Sequence, residues 1–289
     1  MTKKWTRRSF LKKSIIGSLT AAIFAYGGYY YARKIEPRLL TVSRINFVHQ
    51  DIPAGFNHFK IVHFSDTHIG FHFELQHLGQ IVERINSLNP DIIFFTGDLM
   101  DEPDKCKDAA EIIPILEKLT APYGKFAVYG NHDHGGYGTN LYKNIMEKSG
   151  FQLLMNQACE IGLPNNDRIY IAGIDEPMLG SPDLFTALES VPEESFKILL
   201  SHAPDLADYA AKHNIHLQLS GHSHGGQVKL PFIGPLVKPP YAQKYYEGLY
   251  TVESEYKLTL YVNRGIGTTR LPFRFLSRPE ITVFTLLKE

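Results

Sequence analysis

The feature that most constrains the fold of this 289-residue chain is the segment of residues 91–100, DIIFFTGDLM, in which an apolar run ends in Gly97 and Asp98. A strand that is apolar on both faces is typical of a parallel sheet covered by helices, and such sheets bind ligands beyond the carboxyl ends of their strands. The segment therefore predicts a buried strand that delivers Asp98 to the edge of an α/β sheet. Taken alone the pattern is weak, because a solvated turn can have the same residues.

Four other stretches repeat this arrangement of polar residues just beyond an apolar strand. They are residues 59–65 before Asp66-Thr67-His68, residues 125–129 before Gly130-Asn131-His132-Asp133, residues 196–200 before Ser201-His202, and residues 216–219 before Ser220-Gly221-His222-Ser223-His224. Helical periodicity over residues 74–87 and 108–119 separates the first three strands, which indicates consecutive βα units. Short strands over residues 151–175 then mark a crossover into a second sheet.

The residue types at these strand ends are those of a metal site. Asp66 and His68 stand two residues apart in a turning segment, a spacing that can direct both side chains at one ion. Asn131 can offer its amide oxygen, and Asp133 can fix the tautomer and orientation of His132. Carboxylate, amide and imidazole ligands without thiolate favour borderline divalent ions over a closed structural zinc site.

Composition excludes several classes of protein. Hydrophobic residues make up 44% and charged residues 21%, which is typical of a globular domain and not of a disordered chain or a multi-span membrane protein. Lys+Arg and Asp+Glu number 30 each, so no basic excess favours a nucleic-acid partner, and none is expected. Cys106 and Cys159 form no metal-like pair, and both a disulfide and two free thiols remain open.

The N-terminus has the pattern of a targeting segment, in which six basic residues precede the uncharged run of residues 14–32: Lys3, Lys4, Arg7, Arg8, Lys12 and Lys13. Residues 6–12, TRRSFLK, resemble the twin-arginine export signal, which implies passage through the twin-arginine translocase in the folded state. An ordinary signal anchor or a basic amphipathic tail is the alternative. Because the run lacks a small-x-small cleavage pattern, an uncleaved membrane anchor is open. We therefore divide the chain into a signal or anchor with linker (residues 1–44) and a folded domain (residues 45–289).

In their order and spacing, the five motifs resemble those of the calcineurin-like metallophosphoesterases. The resemblance implies a four-layer αββα sandwich of two mixed sheets, with two divalent metal ions (Mn, Zn or Fe) at the sheet edges. By that resemblance, Asp66, His68 and His224 correspond to ligands of one metal. Asn131, His202 and His222 correspond to ligands of the other, and Asp98 takes the bridging position.

The resemblance also implies a reaction. A hydroxide that bridges the metals would attack phosphorus in line with the leaving oxygen, His132 would protonate the leaving alkoxide or stabilise its charge, and Asp133 would hold His132. The expected enzyme is a phosphomonoester or phosphodiester hydrolase, acting on a phosphorylated small molecule or an envelope lipid. It would be extracytoplasmic, either anchored to the membrane or associated with the cell wall.

Two alternatives to this function remain open, together with the roles of three arginines. One is a pyrophosphatase of nucleotide-diphospho lipids such as UDP-2,3-diacylglucosamine, with acyl chains against the loops of residues 231–241 and 271–275. The other is a non-catalytic, metal-stabilised binding module of the envelope. Arg264, Arg270 and Arg274 are candidates for binding a second phosphate, or for packing their stems on Phe273 and Phe275.

Overall fold

Two six-stranded mixed sheets form the centre of the molecule, which a computed structural model describes for residues 6–134 and 138–289. Lys3 and Lys4 of the basic stretch lie outside the described residues. In spatial order, the first sheet consists of β1 (Thr41–His49), β14 (Glu280–Lys288), β2 (Lys60–Phe64), β3 (Ile92–Phe95), β4 (Lys125–Ala127) and β5 (Phe151–Leu153). β2 to β5 are parallel, whereas β14 is antiparallel to β2 and parallel to β1.

The second sheet has a similar mixed arrangement. In spatial order it consists of β12 (Gly248–Glu253), β13 (Lys257–Val262), β9 (Leu217–Ser220), β8 (Lys197–Leu200), β7 (Arg168–Gly173) and β6 (Gln157–Gly162). The four central strands are parallel and the two edge strands antiparallel to their neighbours. A small ribbon of β10 (Lys229–Leu230) and β11 (Gly234–Pro235) follows β9.

Helices cover the outer face of each sheet. The α-helices of the described chain are α1 (Arg7–Tyr30), α2 (Leu75–Asn86), α3 (Ala109–Leu116), α4 (Gly138–Lys148), α5 (Leu184–Leu188) and α6 (Ala207–Ala210). α2 to α4 pack on the first sheet, and α5 and α6 pack on the second. A third apolar cluster fills the space between the sheets. This is the predicted four-layer αββα sandwich, and that prediction is confirmed.

The position of β3 between two apolar clusters explains why its sequence is apolar throughout. Its successive side chains point to opposite faces of the sheet. Ile93 and Phe95 pack in the cluster under the helices, whereas Ile92 and Phe94 pack in the cluster between the sheets. Both faces of the strand are therefore buried, and no position before its end tolerates a polar residue at low cost.

Regular structure begins before residue 45, where the sequence analysis places the start of the folded domain. β1 begins at Thr41, which pairs with Glu280, and so the strand starts inside the predicted linker. The residues before it are also part of the fold, because the buried carboxylate of Glu36 accepts a hydrogen bond from the backbone N–H of Ser277 at 2.6 Å. Backbone pairing and a buried carboxylate of this kind do not occur in a loose linker.

Helix α1 precedes this segment, and all of its side chains are exposed. Two short helical turns, Tyr31–Ile35 and Glu36–Arg38, continue it towards β1. Among the described residues, no helix has both the length and the apolar character needed to cross a bilayer.

The two cysteines do not form a disulfide, which answers the question left open above. Cys106 lies before α3 and Cys159 lies in β6, and both thiols are free. Partial burial raises the pKa of each thiol, and the protonated form is poorly reactive.

Candidate dinuclear metal site

All of the predicted site residues lie at the edge where the carboxyl ends of parallel strands from both sheets meet. The first sheet contributes Asp66 and His68 after β2, Asp98 after β3, and Asn131, His132 and Asp133 after β4. The second sheet contributes His202 after β8 and His222 and His224 after β9. Parallel strands direct their carboxyl ends to one edge, so residues far apart in the chain become neighbours there.

One cluster consists of Asp66, His68 and His224, all fully or nearly fully buried. The Nε2 atoms of His68 and His224 are 3.0 Å apart, and His224 Nε2 is 3.5 Å from Asp66 Oδ1. Three potential ligand atoms therefore surround one point. This matches the first predicted ligand set.

The second cluster consists of Asn131, His202 and His222. His202 Nε2 lies 3.1 Å from His222 Nδ1 and 3.2 Å from Asn131 Oδ1. Asp98 joins the two clusters, because its Oδ2 is 3.5 Å from His68 Nε2 and 3.3 Å from His202 Nε2. A carboxylate in this position can bind two ions at once.

The ring nitrogens of these histidines show that the residues fit metal ions. In three of them the nitrogen facing away from the clusters lies on an oxygen acceptor: His68 Nδ1 on Asp101 Oδ1 (3.0 Å), His202 Nδ1 on the Thr96 carbonyl (2.6 Å) and His222 Nε2 on the Pro240 carbonyl (2.8 Å). Each of these oxygens holds its ring so that the other ring nitrogen faces the cluster, where it can bind an ion when the ring is neutral. Imidazole nitrogens and carboxylate oxygens that converge to within 3.5 Å form the donor set of a divalent metal site.

The electrostatics of the site agree with this interpretation. Burial lowers the pKa of His222 to about 3 and lowers the pKa of His224 as well, so both imidazoles are neutral, as metal ligands must be. Although burial opposes protonation of His202, the charge of Asp98 raises the pKa of His202 to about 10. The buried carboxylates thus require positive charge in this space, and divalent ions would supply it.

Backbone strain is concentrated at the same residues. Five of the seven predicted ligands have a positive φ, a conformation that costs a residue with a side chain about 1–3 kcal/mol: Asp66 (53°), His68 (46°), Asp98 (59°), His222 (70°) and His224 (51°). Such strain persists only where the surrounding structure enforces it, and it is typical of functional sites.

Two glycines allow the strand ends to approach each other. Gly97 has φ of 93°, and a Cβ there would overlap the backbone of Gly130. A Cβ on Gly130 would in turn overlap the carboxylate of Asp98. Only glycine therefore permits β3 and β4 to bring Asp98 next to Asn131 and His132.

His132 offers a ring nitrogen within 4.8 Å of ligand atoms of His68 and Asp98, and it also lines a cavity that opens next to the clusters. Its Nδ1 is 2.6 Å from the carbonyl oxygen of Asp101, and its ring meets that of His68 edge-on with centroids 4.6 Å apart. Burial lowers the pKa of His132, but the charges of Asp98 and Asp101 outweigh burial and raise it above its usual value. The Nε2 atom of His132 is therefore the ring nitrogen that remains available to a substrate.

Asp133 does not have the contact that the sequence led us to expect. Its buried carboxylate accepts the backbone N–H groups of Asp98 (2.7 Å), Leu99 (3.0 Å) and Gly130 (2.9 Å). The carbonyl of Asp101, and not Asp133, orients the ring of His132. Asp133 therefore braces the loop that presents Asp98.

Sequence reasoning missed Asp101 and the pair of His134 with Asp175. Asp101 Oδ1 accepts hydrogen bonds from His68 Nδ1 and from Thr269 Oγ1 (2.7 Å). The position of Asp101 three residues after Asp98 is the sequence feature that could have indicated its role in the site. His134 follows the motif of residues 130–133, and its Nε2 is 2.6 Å from Asp175 Oδ1. Nothing in the local sequence marks Asp175 as its partner.

The three candidate arginines differ in burial and in hydrogen-bond partners. Arg274 is fully buried and donates to the carbonyls of Gly267 and Ser277 (both 2.9 Å), and its Nη2 lies 3.3 Å from Nδ1 of the predicted ligand His224, so it is not exposed to a second phosphate. Arg264 donates to the Arg278 carbonyl at 3.2 Å and pairs with Glu280 at 3.3 Å. Arg270 is exposed at the cavity, and its side chain has no partner among the described residues.

Comparison with known proteins identifies a matching family and several similar chains. Residues 59–226 match the family model of the calcineurin-like phosphoesterases. The chain is 48% identical to the uncharacterized metallophosphoesterase YkuE of Bacillus subtilis over 98% of both chains. It is 29% identical to the UDP-2,3-diacylglucosamine pyrophosphatase LpxG of Chlamydia trachomatis over 97% of this chain and 99% of the relative. The solved structure of TT1561 from Thermus thermophilus aligns with a TM-score of 0.44 at 14% identity, covering 70% of this chain and 88% of that one.

The chain therefore belongs to the calcineurin-like phosphoesterase family, and it is a metal-dependent hydrolase of phosphoester bonds. The predicted family and enzyme class are confirmed, and the alternative of a non-catalytic binding module is set aside. The structure brings all seven predicted ligands together. Their individual roles stay predictions.

Proposed function

We propose that this chain is an exported envelope enzyme that hydrolyses phosphomonoesters or phosphodiesters by in-line attack on phosphorus. The observation that carries the proposal is the position of Asp98, whose Oδ2 lies between two buried ligand clusters. Two divalent ions (Mn, Zn or Fe), when bound, would lower the pKa of water and neutralise the phosphoryl oxygens. Asp66, His68 and His224 would hold one ion, Asn131, His202 and His222 the other, and Asp98 both.

His132 would deliver a proton to the leaving oxygen. Because its Nδ1 is held by the Asp101 carbonyl, its Nε2 is the nitrogen available to a substrate in the cavity. The neighbouring carboxylates favour the protonated ring that this role requires. Asp133 acts on the same step indirectly, by bracing the backbone of Asp98 and Leu99.

A substrate panel tests this proposal. Protein reconstituted with Mn, Zn or Fe should hydrolyse p-nitrophenyl phosphate or bis-p-nitrophenyl phosphate, and removal of the metal by a chelator should abolish the rate. We would measure nitrophenolate release with each metal in turn. Absence of hydrolysis with all three metals would contradict the proposed function.

A second candidate function is hydrolysis of the pyrophosphate bond of a nucleotide-diphospho lipid. The exposed Arg270 beside the metal site favours it, because a guanidinium can bind a second phosphate bidentately. Similarity to the Chlamydia pyrophosphatase also supports it. In the same panel, a kcat/KM for UDP-2,3-diacylglucosamine well above that for the nitrophenyl esters would favour this candidate.

Export by the twin-arginine translocase remains part of the proposal. Arg7 and Arg8 are exposed in the first turn of α1, and the Thr6 side chain caps that helix by accepting the N–H of Ser9 at 3.3 Å. The double substitution Arg7→Lys, Arg8→Lys keeps the charge but removes the recognised pair. We expect it to leave the folded protein in the cytoplasm, as measured by cell fractionation.

The matched control is Lys12→Arg, which changes a nearby basic residue and leaves the pair intact. Normal export of the double variant would show that another route is used. The mass of the exported wild type would also show whether residues 14–32 remain attached.

A further inference from the structure

A cavity of about 590 Å³ adjoins the metal site, and its character changes along its length. At one end it is lined by Asp98, Asn131, His132, His222 and His224. Away from these residues its wall is mainly apolar, with contributions from the loops of residues 236–240 and 271–275 and from α1. Its volume is that of a site for a small molecule.

The C-terminal part of α1 forms one side of this cavity through Phe24, Ala25, Gly28 and Tyr29. The ring of Tyr29 contacts that of Phe273 at 5.5 Å between centroids. The polypeptide just after the helix is fixed as well, because the backbone N–H of Arg274 donates to the Ala32 carbonyl at 2.9 Å. The helix end is therefore attached to the same loop that forms another part of the apolar wall.

The surroundings of the cavity are unusually apolar for a protein surface. Val237 and Leu271 from its wall are 64% and 56% exposed, and Phe24 of α1 is 76% exposed. Contiguous exposed apolar side chains mark sites that contact lipid or an apolar ligand.

We propose that this cavity binds the hydrocarbon chain of a phosphorylated lipid while the phosphate lies at the metal site, and that α1 is a functional wall of the cavity. The proposal rests on the phosphoesterase function above and specifies its substrate class. A hydrocarbon chain gains free energy from contact with this wall, whereas the sugar or base of a soluble phosphoester would lose hydrogen bonds to water there. The proposal also requires that α1 is not cleaved from the active protein.

A series of alkyl p-nitrophenyl phosphodiesters tests the proposal, because only the alkyl chain changes while the leaving group is constant. With metal-loaded full-length protein, and below the critical micelle concentration of each ester, kcat/KM should rise by about tenfold to hundredfold from the methyl to the dodecyl ester. An equal kcat/KM across the series would overturn the lipid-chain proposal, while continued hydrolysis would keep the phosphoesterase. Failure to hydrolyse any member would instead contradict the proposed function.

Two neighbouring glycines in α1 provide a matched pair of variants. A Cβ at Gly27 or at Gly28 would meet no atom within 4 Å, but only Gly28 lines the cavity. Gly28→Trp should reduce the ratio of kcat/KM between the dodecyl and methyl esters to near one, whereas Gly27→Trp should keep the wild-type ratio. A wild-type ratio in Gly28→Trp would show that α1 does not contact the chain, and a loss in both variants would show that the effect is not local to the cavity.

Discussion

Asp98→Asn is expected to lower the metal content clearly below two ions per chain and the hydrolysis rate by about a thousandfold. The substitution preserves the shape of the side chain but removes its charge, and Oδ2 of this carboxylate lies 3.5 Å from His68 Nε2 and 3.3 Å from His202 Nε2. Both ions would lose a shared anionic ligand, and the buried site would lose the charge that attracts them. Elemental analysis of the purified variant, together with the rate on bis-p-nitrophenyl phosphate, measures both effects.

The control for this variant is Asp208→Asn, which removes the same charge from a carboxylate paired with Lys244 on the surface. It should retain two metals and the wild-type rate. Two tightly held metals in Asp98→Asn would mean that the bridging position is misassigned.

His132→Ala is expected to retain both metals and the fold but to hydrolyse about a hundredfold to ten-thousandfold more slowly. None of the seven predicted ligands is changed, and the contact of the residue 132 backbone N–H with Asp98 Oδ1 at 2.9 Å remains possible. Because a general acid matters most for a poor leaving group, the loss should be greatest for alkyl esters and smallest for nitrophenyl esters. Rates on the two ester types, with metal content measured in parallel, give the comparison.

His213→Ala serves as the control, since His213 lies beyond α6 and contacts Tyr209 instead of the site. Equal losses on alkyl and nitrophenyl esters in His132→Ala would favour charge stabilisation over proton donation. Loss of metal from that variant would assign His132 to the ligand set.

Prediction from sequence succeeded where a property depends on a short segment. The apolar run of residues 92–95 indicates burial on both faces and is followed closely by Gly97 and Asp98, so the segment predicts a strand that presents Asp98 at a sheet edge once the same pattern recurs elsewhere in the chain. The same local pattern recurs before His68, Asn131, His202 and His222. Because these strands are parallel, their ends meet at one edge, and the composition of the site could therefore be anticipated.

Prediction from sequence failed where the contacts or burial of a side chain depend on residues that are distant in the chain. Asp133 is adjacent to His132 in the chain, but the turn after β4 directs its carboxylate to the backbone of Asp98 and Leu99. Arg274 and Arg270 lie in one loop, but only tertiary packing buries the first and leaves the second exposed at the cavity. Neighbours in sequence can face opposite directions, and local pattern does not decide between them.

By itself, the sequence determined the α/β class and the polar residue types at the strand ends, because strand periodicity and turn-forming glycines are local properties, whereas the assignment of ligands to two metals rests on the resemblance to the family. The tertiary structure alone decided that the Asp101 carbonyl orients His132, that residues 31–40 belong to the fold, and that α1 walls the cavity beside Asp98. These features depend on the packing of segments that are far apart in the chain, such as Ala32 against Arg274. Such contacts are set by the shape of the folded chain, which no short stretch of residues encodes.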